Sequence, residues 1–234
     1  MSHSIRVIEF SDYLCCWCYP AAVRLEKIRR QYPDRLAVRW HPFALRPEPN
    51  QQPFEFKGSY VERAWQAASL MSEGDAIRYH IWDQGPYPRW SLPGLFAGAA
   101  ALRQGEEAFH RFHPAMFEAF FSHNEDITQK ETAVEVARRA ALDLDAFVRD
   151  YDHPTIRESV RKAVREAHET HRITAVPTVI INGQYRLEGA VPQAQYWKAL
   201  AECGLEVDPA WLEDSGAVVS RGWVDLGDVG PRQE

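Results

Sequence analysis

Apolar and polar positions change their spacing along the chain, and the first stretch has the pattern of a β-α-β unit. Residues 5–10 combine β-branched apolar residues with charged ones, which is typical of a strand. Apolar side chains then recur at helical spacing within residues 21–32, just before Pro33. Along residues 36–42 large apolar side chains occupy alternate positions, which indicates a second strand. This order predicts two parallel strands joined by a right-handed crossover through the helix.

The middle of the chain has helical periodicity almost throughout, from residue 60 to about residue 171. Thr128 and Glu131 form a capping-box pattern, which predicts that a helix starts at Thr128. The sequence Gly-Pro-Tyr-Pro at residues 85–88 indicates a loop within this region. Residues 82–90 are rich in aromatic side chains, which either line a substrate groove or pack in the helical core.

The β pattern returns near the end of the chain, at residues 178–181. Asn182-Gly183 is a strong hairpin signal, and residues 185–187 supply the return strand before a helix over residues 193–201. We therefore predict an α/β, thioredoxin-like fold interrupted by a large all-helical insertion. The predicted parts are a thioredoxin-like domain (1–56 and 172–204), a helical insertion domain (57–171) and a C-terminal tail left unassigned (205–234).

Composition and charge narrow the classes of function. The 234 residues are 45% hydrophobic and carry a formal net charge of -6, which favours a globular protein that does not bind nucleic acid. No apolar run approaches the ~20 residues that span a bilayer, so we expect no membrane association. Residues 1–4 lead directly into the first predicted strand and leave no room for a signal peptide, so we expect a cytoplasmic protein.

Three of the four cysteines lie within four residues, which excludes a framework of structural disulfides. Cys15 and Cys18 have C-x-x-C spacing at the junction between a predicted strand and a predicted helix. The positive end of a helix stabilises a thiolate there, and the second thiol is placed to attack a mixed disulfide formed by the first. The same spacing is compatible with half of a zinc site. The simplest alternative is that the two cysteines are buried core residues.

The cysteine segment and four further motifs occur in the same order as in one known family. The chain resembles the DsbA-like thioredoxin-fold proteins over roughly residues 5–203, and most of all the FrnE-like dithiol-disulfide oxidoreductases or isomerases. The motifs are Asp-Tyr-Leu-Cys-Cys-Trp-Cys-Tyr (12–19), Pro-Phe-Ala-Leu-Arg-Pro (42–47), Ala-Phe-Phe (119–121) followed by Asp-Ile (126–127), Ala-Val-Pro-Thr (175–178), and Gly-Ala (189–190) with Pro192.

The resemblance implies roles for five residues. Cys15 takes the place of the nucleophilic cysteine and Cys18 that of the resolving cysteine. Pro177 matches the cis-proline that faces the active-site disulfide, and Val176 would line the same contact with substrate. Glu9 matches an acidic residue beneath the active site that relays a proton to or from the resolving cysteine. Read without the resemblance, Glu9 is equally a solvent-facing carboxylate on a strand.

Two residues between the cysteines need separate interpretation. Cys16 stands where the family usually has proline, which leaves the redox potential and the rigidity of the motif open. Trp17 is expected to lie exposed beside the reactive sulfur and to shape access to it, with packing in the core as the alternative. Outside the motif, His110 with His113 and His168 with His171 have a spacing that places two imidazoles on one helix face, so they are the candidates for further zinc ligands.

The leading functional hypothesis is an enzyme, a thiol–disulfide oxidoreductase or isomerase that acts on a thiol- or disulfide-containing protein or small molecule. It needs no cofactor besides its own dithiol, with glutathione as a candidate co-substrate. The runner-up is a glutathione-dependent isomerase or transferase, similar to the kappa-class transferases and the hydroxychromene-carboxylate isomerases. Those relatives usually carry serine at the position of Cys15 and lack the second cysteine. A third reading is a non-enzymatic metal- or partner-binding module. The sequence does not reveal the oligomeric state.

Overall fold

Four strands form one mixed sheet in the computed structural model, which describes residues 4–50, 52, 54–83 and 86–213. The order across the sheet is β2-β1-β3-β4, where β1 pairs in parallel with β2 and antiparallel with β3, and β3 pairs antiparallel with β4. The strands are β1 (Ile5–Ser11), β2 (Leu36–Pro42), β3 (Thr178–Ile181) and β4 (Tyr185–Glu188). This sheet confirms the predicted α/β, thioredoxin-like fold.

Eight α-helices accompany the sheet in the described residues. They are α1 (Cys18–Gln31), α2 (Tyr60–Ser69), α3 (Leu92–Leu102), α4 (Glu106–Ser122), α5 (Lys130–Arg139), α6 (Leu144–Asp152), α7 (Pro154–Glu169) and α8 (Gln193–Glu202). A short 3-10 helix follows at Pro209–Leu212. Among the helices of this part of the chain, none combines the length and apolar character that crossing a membrane requires.

The central strand β1 explains where the predicted site lies. Its first residues alternate between buried and exposed, but from Glu9 onwards every residue is buried, as in a strand covered on both faces. β1 ends at Ser11, immediately before the segment that carries the cysteines. At the other end of the sheet, Asn182 and Gly183 have φ angles of 51° and 73°, as the central positions of a type I′ turn require, and the N–H of Gln184 donates to the carbonyl of Ile181 at 3.0 Å. The hairpin prediction is therefore confirmed.

The helical region and the sheet share one hydrophobic core. Phe10 and Tyr13, at the end of β1, belong to the same buried cluster as Trp65, Phe117 and Phe120 from the helices. Burial of a large aromatic side chain stabilises a fold by roughly 1.5–3 kcal/mol, so this shared core fixes the helices over the cysteine segment. A buried ion pair between Arg24 of α1 and Glu73, which follows α2, reinforces the same attachment.

Two local predictions about the helical region are wrong. The described residues between 70 and 91 contain turns and bends instead of helix, because Gly74, Pro86 and Pro88 interrupt the apolar periodicity. The helix predicted to start at Thr128 begins at Lys130, with Gln129 as its N-cap residue. The Thr128 hydroxyl instead donates to the carboxylate of Asp126 at 2.6 Å and accepts from the side-chain amide of Gln129 at 3.1 Å.

The described chain divides into two compact units between Val191 and Pro192. The second unit contains α8 and the 3-10 helix, where the rings of Trp197 and Trp211 lie 4.9 Å apart. The borders predicted for the thioredoxin-like domain and the insertion stay a prediction. Most of the predicted tail, residues 214–234, lies outside the described residues.

Candidate active site

Asp12 anchors the turn that leads from β1 to the cysteines. Its buried carboxylate accepts hydrogen bonds from the backbone N–H of Leu14 (2.9 Å), the N–H of Leu45 (2.6 Å) and the hydroxyl of Ser91 (2.6 Å). Burial raises the pKa of Asp12, although these hydrogen bonds oppose the rise. The Asp12 carbonyl also accepts from the N–H of Cys15 at 3.0 Å. One side chain therefore ties together the turn before Cys15, the loop after β2 and the start of α3.

Cys15 and the segment before β3 meet in space although 161 positions separate them in the chain. The Cys15 thiol donates to the carbonyl oxygen of Val176 at 3.3 Å. The next peptide bond, between Val176 and Pro177, is cis. Val176 is 8% exposed, so its carbonyl is presented to the sulfur from within a packed loop. The structure thus brings together three of the residues that the sequence singled out, Cys15, Val176 and Pro177.

Cys18 is the first residue of α1, one turn earlier than the predicted helix start at residue 21. The prediction missed this because the N–H of Cys18 donates to the carbonyl of Cys15 at 3.0 Å, and that turn runs directly into the helix. Cys18 is fully buried. Burial raises the pKa of the Cys18 thiol well above its usual value, and the hydrogen bond with Cys15 and the charges of Cys15 and Glu9 raise it further. At neutral pH Cys18 is therefore a thiol, which needs a base before it attacks a disulfide.

Glu9 lies in the interior with only 3% of its surface exposed, so the solvent-facing alternative is wrong. The side chain is on β1, the strand that ends just before the cysteine segment, and its charge contributes to the raised pKa of Cys18. Its Oε2 lies 3.6 Å from Nε2 of His113 on α4. A buried carboxylate whose charge acts on a protonated thiol is a candidate acceptor for the proton of that thiol.

The two residues between the active cysteines differ in their surroundings. Cys16 is 6% exposed and belongs to the hydrophobic core. Burial raises the pKa of the Cys16 thiol well above its usual value, and the charge of Cys15 raises it further. Trp17 is half-buried against the same core and is the N-cap residue of α1, without a capping hydrogen bond from its side chain. Cys16 is therefore held as a thiol, whereas Trp17 keeps part of its indole at the surface.

The aromatic stretch over residues 82–90 contributes mainly to the core. Trp82 is buried, and the ring of Tyr87 lies within about 6 Å of those of Phe56, Trp65 and Phe120. Tyr87 and Trp90 are partly buried, so for these two side chains the alternative of a substrate groove stays a prediction.

The candidate zinc ligands are engaged elsewhere. His110 pairs with Glu26 at 3.2 Å, and His113 contacts Tyr13 and Glu9. In the part of the chain that the structure describes, no group of three or more His, Cys, Asp or Glu side chains is arranged to hold a metal ion. His168 and His171 instead pack against aromatic rings, those of Phe43 and Phe10 respectively.

Two features of the site were not recognised from the sequence. Asp12 was part of a recognised motif but received no role, because its hydrogen bonds to Leu45 and Ser91 depend on the tertiary fold. His113 was noted only for its spacing from His110, and nothing in the sequence pairs a helical histidine with Glu9 of a distant strand. If Glu9 is buried on the central strand, its carboxylate needs a polar partner, and this was the one signal that pointed to such a contact.

Comparison with known proteins identifies relatives of the whole described architecture. The family model for the DSBA-like thioredoxin domain matches residues 6–201. The uncharacterized protein YwbO of Bacillus subtilis is 26% identical over 200 residues, which are 85% of this chain and 97% of that protein.

Two solved structures have a similar fold. A protein from Nitrosomonas europaea, proposed to be a protein disulfide isomerase, has a TM-score of 0.73 at 17% identity and covers 86% of this chain and 97% of its own. The cytosolic disulfide reductase DsbM from Pseudomonas aeruginosa, solved with GSH, has a TM-score of 0.66 at 18% identity and covers 86% of this chain and 100% of its own. At these identities the two structures show the fold alone.

Proposed function

Because this chain belongs to the DSBA-like thioredoxin domain family, we propose that it is a thiol–disulfide oxidoreductase or isomerase that works through Cys15 and Cys18. The observation that supports this proposal most is the contact between the Cys15 thiol and the carbonyl of Val176, next to Pro177. It leaves the sulfur of the less deeply buried cysteine beside a backbone segment on which an extended substrate can lie. The fully buried Cys18 is the resolving cysteine.

The proposed reaction exchanges one disulfide for another. The Cys15 thiolate attacks one sulfur of the substrate disulfide, a Cys15–substrate disulfide forms, and the other substrate sulfur leaves as a thiolate that takes up a proton. Cys18 then loses its proton to Glu9 and attacks the Cys15 sulfur. The Cys15–substrate bond breaks, and the second substrate thiol is released. The protein dithiol is oxidised by two electrons and the substrate disulfide is reduced by two. Run backwards, the same steps oxidise a dithiol.

Turnover of serine variants tests this assignment. We expect Cys15→Ser to abolish reduction of a disulfide substrate such as insulin with dithiothreitol as the reductant. Cys16→Ser and Cys203→Ser are the matched controls, and both should keep turnover within a few-fold of the wild type because neither thiol takes part in the exchange. A Cys15→Ser protein that retains turnover would overturn the scheme.

We further propose that the protein acts in the cytoplasm, on the FrnE-like branch of the family, with no resident cofactor and with glutathione as co-substrate. The redox potential of the Cys15–Cys18 couple decides its working direction. A potential near about −270 mV is that of a reductant such as thioredoxin, and one near about −120 mV is that of an oxidant such as DsbA. Equilibration with glutathione buffers, followed by alkylation and mass measurement, gives this potential.

A second candidate function, a glutathione-dependent isomerase or transferase, is favoured by two arginines near the site. Arg46 donates to the hydroxyl of Tyr60 at 3.1 Å, and the guanidinium of Arg89 lies 4.6 Å from the centre of the Phe54 ring. Among the described residues neither arginine has a carboxylate at ion-pair distance. Burial lowers the pKa of Arg89, and the charge of Arg46 lowers it further, so the two cations lie close together. Such a pair suits the carboxylates of glutathione.

Two disulfides of different charge test this second candidate. Arg46→Gln and Arg89→Gln should raise KM for glutathione disulfide and leave KM for the neutral 2-hydroxyethyl disulfide unchanged. Transferase activity that survives Cys18→Ser would favour the glutathione-dependent function over the dithiol mechanism. Equal effects of the arginine variants on both disulfides would exclude the arginines from glutathione binding.

A further inference from the structure

Glu9 and His113 form a buried pair whose hydrogen bonding is incomplete. Glu9 is 3% exposed and His113 is 6% exposed. Their facing atoms, Oε2 of Glu9 and Nε2 of His113, lie 3.6 Å apart, which is too long for a direct hydrogen bond. Within the described residues, Oε1 of Glu9 and Nε2 of His113 have no hydrogen-bond partner. A buried carboxylate in this condition costs several kcal/mol of stability, so a reason for its presence is needed.

The surroundings of His113 favour one of its two tautomers, the one with the proton on Nε2. Its Nδ1 lies 2.8 Å from the hydroxyl of Tyr13, and its ring is held between those of Tyr13, Trp40 and Phe109. Burial raises the pKa of Tyr13 well above its usual value, so the hydroxyl keeps its proton and is able to donate it to Nδ1. A neutral imidazole that accepts at Nδ1 carries its proton on Nε2, where it points towards Glu9. The opposite tautomer would direct a lone pair at the carboxylate, which is repulsive.

A small cavity lies against this pair and leads towards the surface. Its volume is about 20 Å³, and Glu9, His113 and Trp40 form part of its wall. A cavity of this volume holds one water molecule, provided that polar groups line it. The wall also includes His110 and Glu26, which contact each other at 3.2 Å and are each about 12–13% exposed at their side chains. One water in this cavity would connect the buried carboxylate with a pair of groups that reach solvent.

We propose that the cavity binds one water molecule that contacts both Glu9 and His113, and that His113 is a positioning residue that orients Glu9 and this water for the resolving step. This inference rests on the proposed function. The proton leaves the Cys18 thiol for Glu9, the Cys18 sulfur attacks the Cys15 sulfur, and the substrate sulfur departs with the bonding electrons as a thiolate that takes up a proton from solvent. The proton on Glu9 then passes through the water towards His110 and Glu26. The helical region therefore supplies part of the proton site, besides covering the cysteines.

The titratable groups that contact the pair, line its cavity or exchange a proton with it enter the expected pH dependence, together with Asp12, whose charge acts on Tyr13, and Glu106, which lies 4.0 Å from His110. β1 and the turn after it contribute Glu9 and Tyr13, α1 contributes Cys18 and Glu26, and α4 contributes His110 and His113. Although burial raises the pKa of Glu26, hydrogen bonds from His110, Arg29 and Arg30 outweigh it, so this carboxylate stays charged at neutral pH. β2 adds the side chains of Val38 and Trp40, which do not titrate.

The two chemical steps can be observed separately with 5,5′-dithiobis(2-nitrobenzoic acid). In the full chain with Cys16→Ser and Cys203→Ser, attack by Cys15 releases the first thionitrobenzoate and attack by Cys18 releases the second. We expect His113→Gln to leave the first phase unchanged, to slow the second at least ~10-fold at neutral pH, and to move its pH profile. His123→Gln is the matched control, because His123 lies at the exposed end of the same helix.

Each outcome of this experiment decides the proposal. Tyr13→Phe keeps the packing of the ring and removes only the hydroxyl, so it should also slow the second phase alone, and it serves if His113→Gln does not fold. Equal slowing of both phases, or no slowing of the second, would overturn the role of His113 while leaving the dithiol mechanism in place. Release of no thionitrobenzoate by the parent protein would overturn the proposed function itself.

Discussion

The ion pair between Arg24 and Glu73 connects the helix that begins with Cys18 to the segment after α2, and its removal should destabilise the protein strongly. The guanidinium makes two contacts with the carboxylate, Nη2 to Oε2 at 2.6 Å and Nε to Oε1 at 3.3 Å. Both side chains are 3% exposed. Glu73 also accepts from the hydroxyl of Ser72, and Arg24 donates to the carbonyl of Val191.

Glu73→Gln changes the charge and keeps the shape, so no cavity contributes to its cost. The buried guanidinium of Arg24 then loses the charge of Glu73, and breaking a buried ion pair by removing one partner costs roughly 3–5 kcal/mol in comparable sites. For a chain of this length that corresponds to a fall in Tm of roughly 6–20 °C. Urea unfolding followed by circular dichroism measures the free energy. Glu135→Gln is the matched control, because Glu135 and Arg138 form an exposed pair whose loss should leave the free energy of unfolding nearly unchanged.

The pH dependence of the same variant provides a second check. Burial would raise the pKa of Glu73, but the hydrogen bonds from Arg24 and Ser72 and the charges of Arg24 and Lys27 lower it below 4.5. A carboxylate with a lowered pKa in the folded state stabilises the fold above its unfolded pKa and loses this effect as the pH falls. The stability gap between wild type and Glu73→Gln should therefore be full at pH 7 and close as the pH falls below about 4.5. A cost below about 1 kcal/mol at pH 7 would refute the reasoning.

Three further predictions concern the candidate site. Asp12→Ala leaves the N–H groups of Leu14 and Leu45 without their acceptor. We therefore expect the free energy of unfolding in urea to fall by about 2–3 kcal/mol and attack by Cys15 to slow. An unchanged stability would contradict the anchoring role of Asp12. Gly98→Ala would place a Cβ 2.7 Å from the Tyr13 hydroxyl and 2.9 Å from the Trp40 ring, and should cost about 1–3 kcal/mol. Gly94→Ala in the same helix meets nothing closer than 3.3 Å and should cost clearly less, so equal costs would count against the close approach. In the reduced protein, iodoacetamide at pH 7 should alkylate Cys15 and leave Cys16 unmodified, because burial raises the pKa of Cys16. Rapid modification of Cys16, seen by peptide mapping, would contradict this prediction.

Much of the fold was predictable because it depends on local patterns. The β-branched residues of β1 and β3, the alternation along β2, and the Asn182-Gly183 turn are signals that a few neighbouring residues carry. The starts of helices were less predictable, since hydrogen bonds from outside the pattern decide them. Thr128 donates to Asp126 instead of capping α5, and α1 begins at Cys18 because a turn from Cys15 leads into it.

The residues of the candidate site likewise fall into those that the sequence could identify and those that it could not. The cysteine pair and the Val-Pro segment could be named from their spacing and from resemblance, and the structure places Cys15 against Val176. The partners of Asp12 and Glu9 could not be named, because they come from helices that the tertiary fold brings to β1. The state of Cys16 depends likewise on burial, which its sequence neighbours do not determine.

Capture of the mixed disulfide is the most direct test of the dithiol mechanism. Cys18→Ser should accumulate a covalent adduct with one half of a substrate disulfide, and peptide mapping by mass spectrometry should place it on Cys15. Cys15→Ser should form no such adduct under the same conditions. We expect one adduct per chain, and dithiothreitol should reverse it. An adduct on Cys16, or a Cys18→Ser protein that still completes turnover through Cys16, would contradict it.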